Sequence, residues 1–277
     1  MNPVRKALWY VESHFHEEVT LDDVAEAAGV SRHHLTRAFG AATGLPVVRY
    51  IRARRLTEAA RSLASRPGDI LGVALDAGYG SHEAFTRAFR DHFGVTPESV
   101  RDRGGVAHLK LTEPLAMDAT LLAHLAAPRL AAFPARLITG LSRRYQCDDK
   151  AAIPAQWQEF APHIDTMPGR VDGSAWGVVF NTDEDGGMDY LTGVEVGGAG
   201  DVASGYASVR VPAGRYAVFS QAEHISSITR TWATIWSEWL PNSGHAAGDG
   251  PVLEHYPPSF DAATGLGGFE LWVPLAD

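Results

Sequence analysis

Only one cysteine, Cys147, occurs in the 277 residues. A single thiol excludes a disulfide framework within the chain and suits a reducing compartment. Long hydrophobic runs are also missing: the most apolar region, Leu121 to Ala135, is broken by His124, Pro128, Arg129 and Pro134. It is excluded as a membrane span. The opening MNPVRKALWYVESHFHEE holds no uncharged apolar stretch of signal-peptide length, and a cytoplasmic protein is expected. Neither a phosphate-binding glycine loop nor a Ser-His-Asp set is present. The adjacent His33 and His34 diverge on a helix, with no cysteine or carboxylate to complete a metal set. No metal, no cofactor and no catalytic residue is therefore predicted.

A basic tail is absent as well. The formal net charge is −9, so any nucleic-acid binding must rest on local arrangement. The balance is uneven: Met1 to Arg103 carries 14 Lys+Arg against 13 Asp+Glu, and Gly104 to Asp277 carries 10 against 20. The acidity of the second half is read as a solubility feature. A chain of this length is expected to form two domains.

What is present begins with a repeat. In VTLDDVAEAAGVSRHHLTRAFG, Thr20 is a candidate N-cap, Asp22 and Asp23 suit a first turn, and Leu21, Val24, Ala25 and Ala28 form an apolar stripe. After Gly29, Ser31 can cap a second helix with Leu35, Ala38 and Phe39 inward and Arg32, His33, Thr36 and Arg37 outward. The pattern returns in DILGVALDAGYGSHEAFTRAFRDHFG: Gly68 or Asp69 starts a helix, and Ser81 caps another. Phe85, Ala88, Phe89 and Phe93 point inward there, and His82, Glu83, Thr86 and Arg87 outward. Between the copies, Pro46 opens a connecting helix of about 18 residues, a rod of about 27 Å. Two recognition helices on such a rod can enter successive major-groove segments, about 34 Å apart.

These residues resemble an AraC-type DNA-binding domain. The resemblance is carried by LDDVAEAAGVSRHHLTRAF, RARRLTEAARSL and GYGSHEAFTRAFRDHFGVTPESVR, over about Asn2 to Asp102. It implies an all-α, double helix-turn-helix domain bound to double-stranded DNA at an asymmetric site of two major-groove segments, with RNA polymerase as a further partner. Chemistry assigns the roles: Arg37 and Arg87 can reach guanine O6 and N7, Thr36 and Thr86 can pack on a thymine methyl, and Glu83 can accept from cytosine N4. His33 and His82 suit bases or phosphates, and Arg32 shares their face. Arg49 and Arg52, with Arg54, Arg55 and Arg61, suit phosphate contacts or helix ion pairs.

Beyond Gly104 the pattern changes. Residues 106–128 read as a linker or lead-in, after a first domain at 1–105. From Arg129 onward strands appear: RLAAFPARLITGLSRRY, then a helix IPAQWQEFAPHI, then SAWGVVFN and MDYLTGVEV around a polar turn. The order recurs in YASVRVPAGRYAVFS, broken at Pro212 and Gly214, the helix ISSITRTWATIWSEWL, and the strands PVLEHY and GGFELWVPL. A β-α-β-β unit written twice predicts an α+β domain over 129–277.

This half resembles the GyrI-like effector-binding domain, through IPAQWQEF, WGVVFN, VPAGRYAVF, IWSEWLPNSG, PVLEHYPPSFD and FELWVPL. Trp176 stands where such domains often have tyrosine, and SQAEH replaces the usual His-x-Gly. Alternation in FELWVPL sends Phe269, Leu271 and Val273 to one face and Glu270 and Trp272 to the other. The second pair sets a carboxylate beside an indole, which suits an amphipathic, cationic or hydrogen-bonding effector. The resemblance likewise implies Glu270 as ligand anchor, since an acidic residue in this last strand is the usual one. Trp176, Tyr256 and Trp272 are the next candidate pocket walls, followed by Tyr145, Phe180 and Tyr206. The function expected is ligand-responsive transcription regulation. The alternatives are a hydrolase that uses Glu270 as a general base, and a module that sequesters a toxic small molecule.

Overall fold

In the computed structural model, residues 2–65, 69–115, 125–146, 151–198 and 205–276 are described. Cys147, the RPGD turn up to Gly68 and positions 116–124 of the expected linker lie outside the described residues. Two compact units are formed, one built on residues 3–35 and 45–115, the other on residues 36–44 and 125–276.

The first unit is helical: α1 (Pro3–His14), α2 (Leu21–Ala28), α3 (Arg32–Thr43), α4 (Val47–Ser65), α5 (Ile70–Asp76), α6 (His82–Phe93) and α7 (Pro97–Arg103). The division between the units falls inside α3. Local chemistry sets the starts. At α2, Thr20 and Asp23 form a reciprocal capping box, the Thr20 side chain accepting from Asp23 N at 3.2 Å and Asp23 Oδ2 from Thr20 N at 2.8 Å. Ser31 accepts from His34 N at α3, Asp69 from Leu71 N at α5 and Ser81 from Ala84 N at α6. Around α5 and α6 a core forms from Leu56, Leu63, Ile70, Ala74, Phe85, Phe89 and Val100. The apolar residues of the two TRAF runs, Ala38, Phe39, Ala88 and Phe89, are all buried.

Three of the linker-helix arginines are committed to structure. Arg54 is buried, ion-paired to Glu12 at 3.0 Å and Glu58 at 3.2 Å, and it donates to Thr112 O at 2.9 Å. Arg55 donates to the carbonyls of Phe15 and Glu17, and Arg61 bridges Glu58 and Glu113. The lead-in is held in the same way: Thr112 N donates to Thr57 Oγ1 and Leu115 N to the Tyr50 hydroxyl. This first part of the expected linker is laced along α4 rather than loose.

The second unit carries β1 (Arg129–Phe133), β2 (Arg136–Tyr145), α8 (Ile153–Phe160), β3 (Ala175–Phe180), β4 (Met188–Val196), β5 (Ala207–Val211), β6 (Gly214–Gln221), α9 (Ile228–Thr234), β7 (Val252–Tyr256) and β8 (Phe269–Leu275). A 3₁₀ turn extends α8 over Ala161–Thr166, and α9 runs on as a π-helical segment, Ile235–Trp239, and a last turn, Leu240–Asn242. The leading strand of each expected repeat is in fact two, parted at Pro134 and at Pro212. A proline lacks the N–H that would continue the ladder.

The eight strands form one antiparallel sheet in the order β1-β6-β8-β7-β3-β4-β2-β5. Each half of that order contains a strand from the other repeat: β1 pairs with β6, and β5 with β2. Helices α8 and α9 cover one face, as Gln156 bonds to β2 and β4 and Trp239 packs on Phe219. The other face curls on itself, so that Phe133 of β1 and Val211 of β5 share one core with Trp176, Leu191, Leu253 and Trp272.

Candidate functional site

The sheet sorts the expected pocket residues onto opposite faces. Register pairs Glu254 with Gly177 and Leu271, and His255 with Trp176 and Glu270. Alternation then sets Glu254 and Tyr256 under the helices, with Tyr190 and Tyr145. Trp176, Phe180, Glu270 and Trp272 lie on the curled face. As alternation in β8 predicts, Phe269, Leu271 and Val273 share the helix side.

On the curled face Glu270 is fully engaged. Its carboxylate accepts from Arg129 Nη2 at 3.1 Å, Ser220 Oγ at 3.2 Å and Trp272 Nε1 at 3.1 Å, and lies 3.2 Å from His255 Nδ1. The His255 contact, then Arg129, hold its pKa down to about 2 against partial burial. Arg129 also lies over the Trp272 ring, 4.8 Å from its centre. The carboxylate that the sequence marks as ligand anchor already has its cation. Phe180 is half-buried and Trp176 buried, the latter 4.4 Å from the His255 ring.

On the helix-covered face a second carboxylate, Glu254, is 7 % exposed, and among the described residues no cation lies against it. Three donors reach it: the Tyr190 hydroxyl at 2.5 Å, the Tyr256 hydroxyl at 3.0 Å and, at 3.4 Å, Trp232 Nε1 from α9. Trp157 of α8 donates to the Tyr190 oxygen at 2.9 Å and packs edge-on against Tyr256 at 4.9 Å. Trp232 stacks with Trp236, 6.3 Å away, where the helix becomes π-helical. Burial raises the pKa of Glu254, and the three donors oppose that rise. Burial, then the Glu254 charge, pushes both tyrosines well above their ordinary range.

Neighbouring residues hold this arrangement in place. Gln156 is fully buried, accepting from the Tyr145 hydroxyl at 2.7 Å and donating to Leu141 O at 2.8 Å and Tyr190 O at 3.2 Å. Tyr145 thereby supports the site from beneath, and Tyr206 packs edge-on to Phe160 at its flank. At Gly177, a Cβ would stand 2.5 Å from the Tyr190 oxygen and 2.7 Å from Glu254 Oε2. Only a glycine lets the phenol and the carboxylate meet over β3. The arrangement can receive a positive charge: one carboxylate, aromatic walls and low solvent exposure. Glu254 was missed in the sequence although VLEHY, read by twos, sets Val252, Glu254 and Tyr256 on one face.

The expected DNA-facing side chains divide more simply. In the first unit Glu83 and Arg87 are exposed on α6, while His82 contacts Glu98 at 3.3 Å and Thr86 Oγ1 is buried without a partner. Arg32 is ion-paired with Asp22 at 3.2 Å, His33 is half-buried, Arg49 is half-buried and Arg52 exposed. In the second unit Thr36 is half-buried, and the Arg37 guanidinium lies 5.3 Å from the centre of the Trp236 ring. Arg37 Nε and Nη1 are buried without hydrogen-bond partners among the described residues, and burial lowers its pKa to about 10. The outward presentation expected of Arg37 is therefore not met, because the indole face covers it.

The family model described as GyrI-like small molecule binding domain matches residues 126–276. The chain belongs to the GyrI-like family. A helix-turn-helix domain model matches residues 24–103 ahead of that GyrI-like domain. The chain is similar to the transcriptional regulator Rob of Salmonella typhimurium strain LT2, 27% identical over 271 residues, 95% of this chain and 92% of the relative. It is equally similar to the right origin-binding protein of Escherichia coli strain K12, 27% identical over 275 residues with the same two coverages. Its first part alone is 38% identical over 105 residues to the probable transcription factor PqrA of Proteus vulgaris, 37% of this chain and 86% of that one. The chain thus joins an AraC-type DNA-binding region to a GyrI-like small-molecule-binding domain, and its function is transcription regulation with effector binding. No helix among the described residues is long and apolar enough to cross a membrane.

Proposed function

We propose that the effector is a small lipophilic cation and that Glu254, rather than Glu270, is the group that selects it. The supporting observation is the buried Glu254 carboxylate, ringed by Tyr190, Tyr256 and Trp232 and, among the described residues, without a cation beside it. A quaternary ammonium or similar head would supply the missing charge, and the rings would supply cation–π contact. For DNA, the reading is an asymmetric site of about two major-groove segments. Arg87 carries base recognition on α6. Domain limits near residues 105 and 129 accompany this reading, as do a cytoplasmic location and a binding rather than catalytic role for the carboxylate.

Thermal stability of the full chain, measured against a series of lipophilic quaternary ammonium ions and their uncharged isosteres, tests the effector claim. Stabilisation by the cations that vanishes in Glu254→Gln and persists in Glu270→Gln is the expected result. Equal stabilisation by the isosteres, or loss in Glu270→Gln alone, would sink it.

A further inference from the structure

The first unit contains a groove of about 480 Å³, remote in sequence from the GyrI-like domain and used by nothing described so far. Its walls are apolar: Leu21 from α2, Val48 and Ile51 from α4, and Tyr79 from the turn before α6. Three guanidinium groups border it, Arg52 and Arg55 of α4 and Arg87 of α6, against one carboxylate, Asp91. Arg55 is fixed by the carbonyls of Phe15 and Glu17. It reaches the groove beside Gly78, where a Cβ would stand 3.0 Å from its Nη1. Arg52 of α4 and Arg87 of α6 differ from Arg54, Arg55 and Arg61. Both are exposed, and among the described residues neither has an ion pair or a hydrogen-bond partner.

An apolar trough with unpaired arginines on its rim has a defined complement. Its volume lies within the range of small-molecule sites, about 300–1,000 Å³. An apolar tail covers the exposed Val48 side chain and the partly exposed Tyr79 ring over the buried Leu21 and Ile51, and an anionic head meets the guanidinium groups through charge-assisted hydrogen bonds. We infer that this groove is a second small-molecule site, selective for amphipathic monoanions such as medium-chain carboxylates. Its preference is opposite in sign to that of the Glu254 site. Because Arg87 belongs both to the rim and to the exposed face of α6, an anion there competes with DNA for the same side chain.

Photolabelling of the full chain, free of DNA, with a diazirine-bearing dodecanoate below its micellar concentration provides the test. Label is expected in peptides spanning Val48 to Arg55 or Ala77 to Asp91, with protection by dodecanoate and not by dodecanol. Val48→Trp, which fills the trough, and Arg52→Met, at an exposed position, are each expected to cut labelling at least fivefold while retaining the wild-type circular dichroism. Label confined to residues beyond 118, undiminished label in Arg52→Met, or equal protection by dodecanol would overturn the inference. Absence of label, with Arg52→Met changing only the salt dependence of DNA binding, would assign the groove to the DNA backbone instead. A second arm measures DNA affinity with and without dodecanoate. It rests on the DNA-reading role of Arg87, whereas the labelling arm does not, so failure of either is distinguishable.

Discussion

The Tyr190 hydroxyl donates to Oε2 of Glu254 at 2.5 Å, joining β4 to β7 across the glycine of β3. Tyr256 and Trp232 donate to the same carboxylate, so the hydrogen bonds that usually come from water come from aromatic side chains. Such a carboxylate is solvated in part and, among the described residues, uncompensated in charge.

Replacing Glu254 with glutamine is expected to weaken binding of a lipophilic quaternary ammonium at least tenfold, or about 1.4 kcal/mol. Isothermal titration at neutral pH reads it directly, and an unchanged affinity would remove Glu254 from the site.

The same substitution has a signature in pH. Burial raises the folded pKa of Glu254 above its unfolded value. Its contribution to stability is thus fully present below the unfolded pKa, about 4.3, and is lost as pH rises through the folded value. Urea unfolding is expected to show the Glu254→Gln protein gaining on the wild type as pH rises above the unfolded pKa.

Glu270 behaves in the opposite sense. With its pKa held down to about 2 by His255 and Arg129, it contributes stability above about pH 4.3 that is lost as pH falls through about 2. Glu270→Gln is expected to lower stability at neutral pH by about 2 kcal/mol, allowing for its partial exposure. The acid limb of the stability profile should flatten, with cation affinity changed less than threefold.

Arg87→Ala is expected to relax base preference in one half of the DNA site, by about 1–3 kcal/mol of discrimination. Site selection on the purified protein decides. Uniform weakening over all sequences, with a shallower salt slope, would make Arg87 a phosphate clamp.

Arg54→Ala leaves Glu12 without its cation beneath the Phe15 ring, while Glu58 keeps its ion pair with Arg61. A loss of about 3 kcal/mol is expected, measured by chemical denaturation, because breaking a buried ion pair strands the remaining partner, Glu12.

Much of this was legible in the sequence because it is written in local chemistry. Thr20, Ser31, Asp69 and Ser81 announce helix starts, and each cap is found where the residue types place it. Alternation in FELWVPL gives the two faces of β8 correctly. Partnership across the fold is not local: the claims of Arg129 and His255 on Glu270 come from strands far apart in sequence, and nothing in β8 itself reveals them. The linker helix has the same difficulty, since Arg54 and Arg52 read alike until Glu12 arrives to bury one of them. In VLEHY the period-two signal was present, yet Glu254 becomes distinctive only when β3 and β4 bring Gly177 and Tyr190 alongside.

The exchange of β1 and β5 between the repeats bears on how the protein is made. Arg129 pairs with Val218, so β1 leaves the ribosome long before its partner exists. Until β5 is synthesised, β2 also presents an open edge. Long-range pairing of this kind is slow, and exposed edges invite association with other chains. A fragment ending before β5 is expected to aggregate rather than fold as half a domain, which makes the duplicated architecture a single cooperative unit.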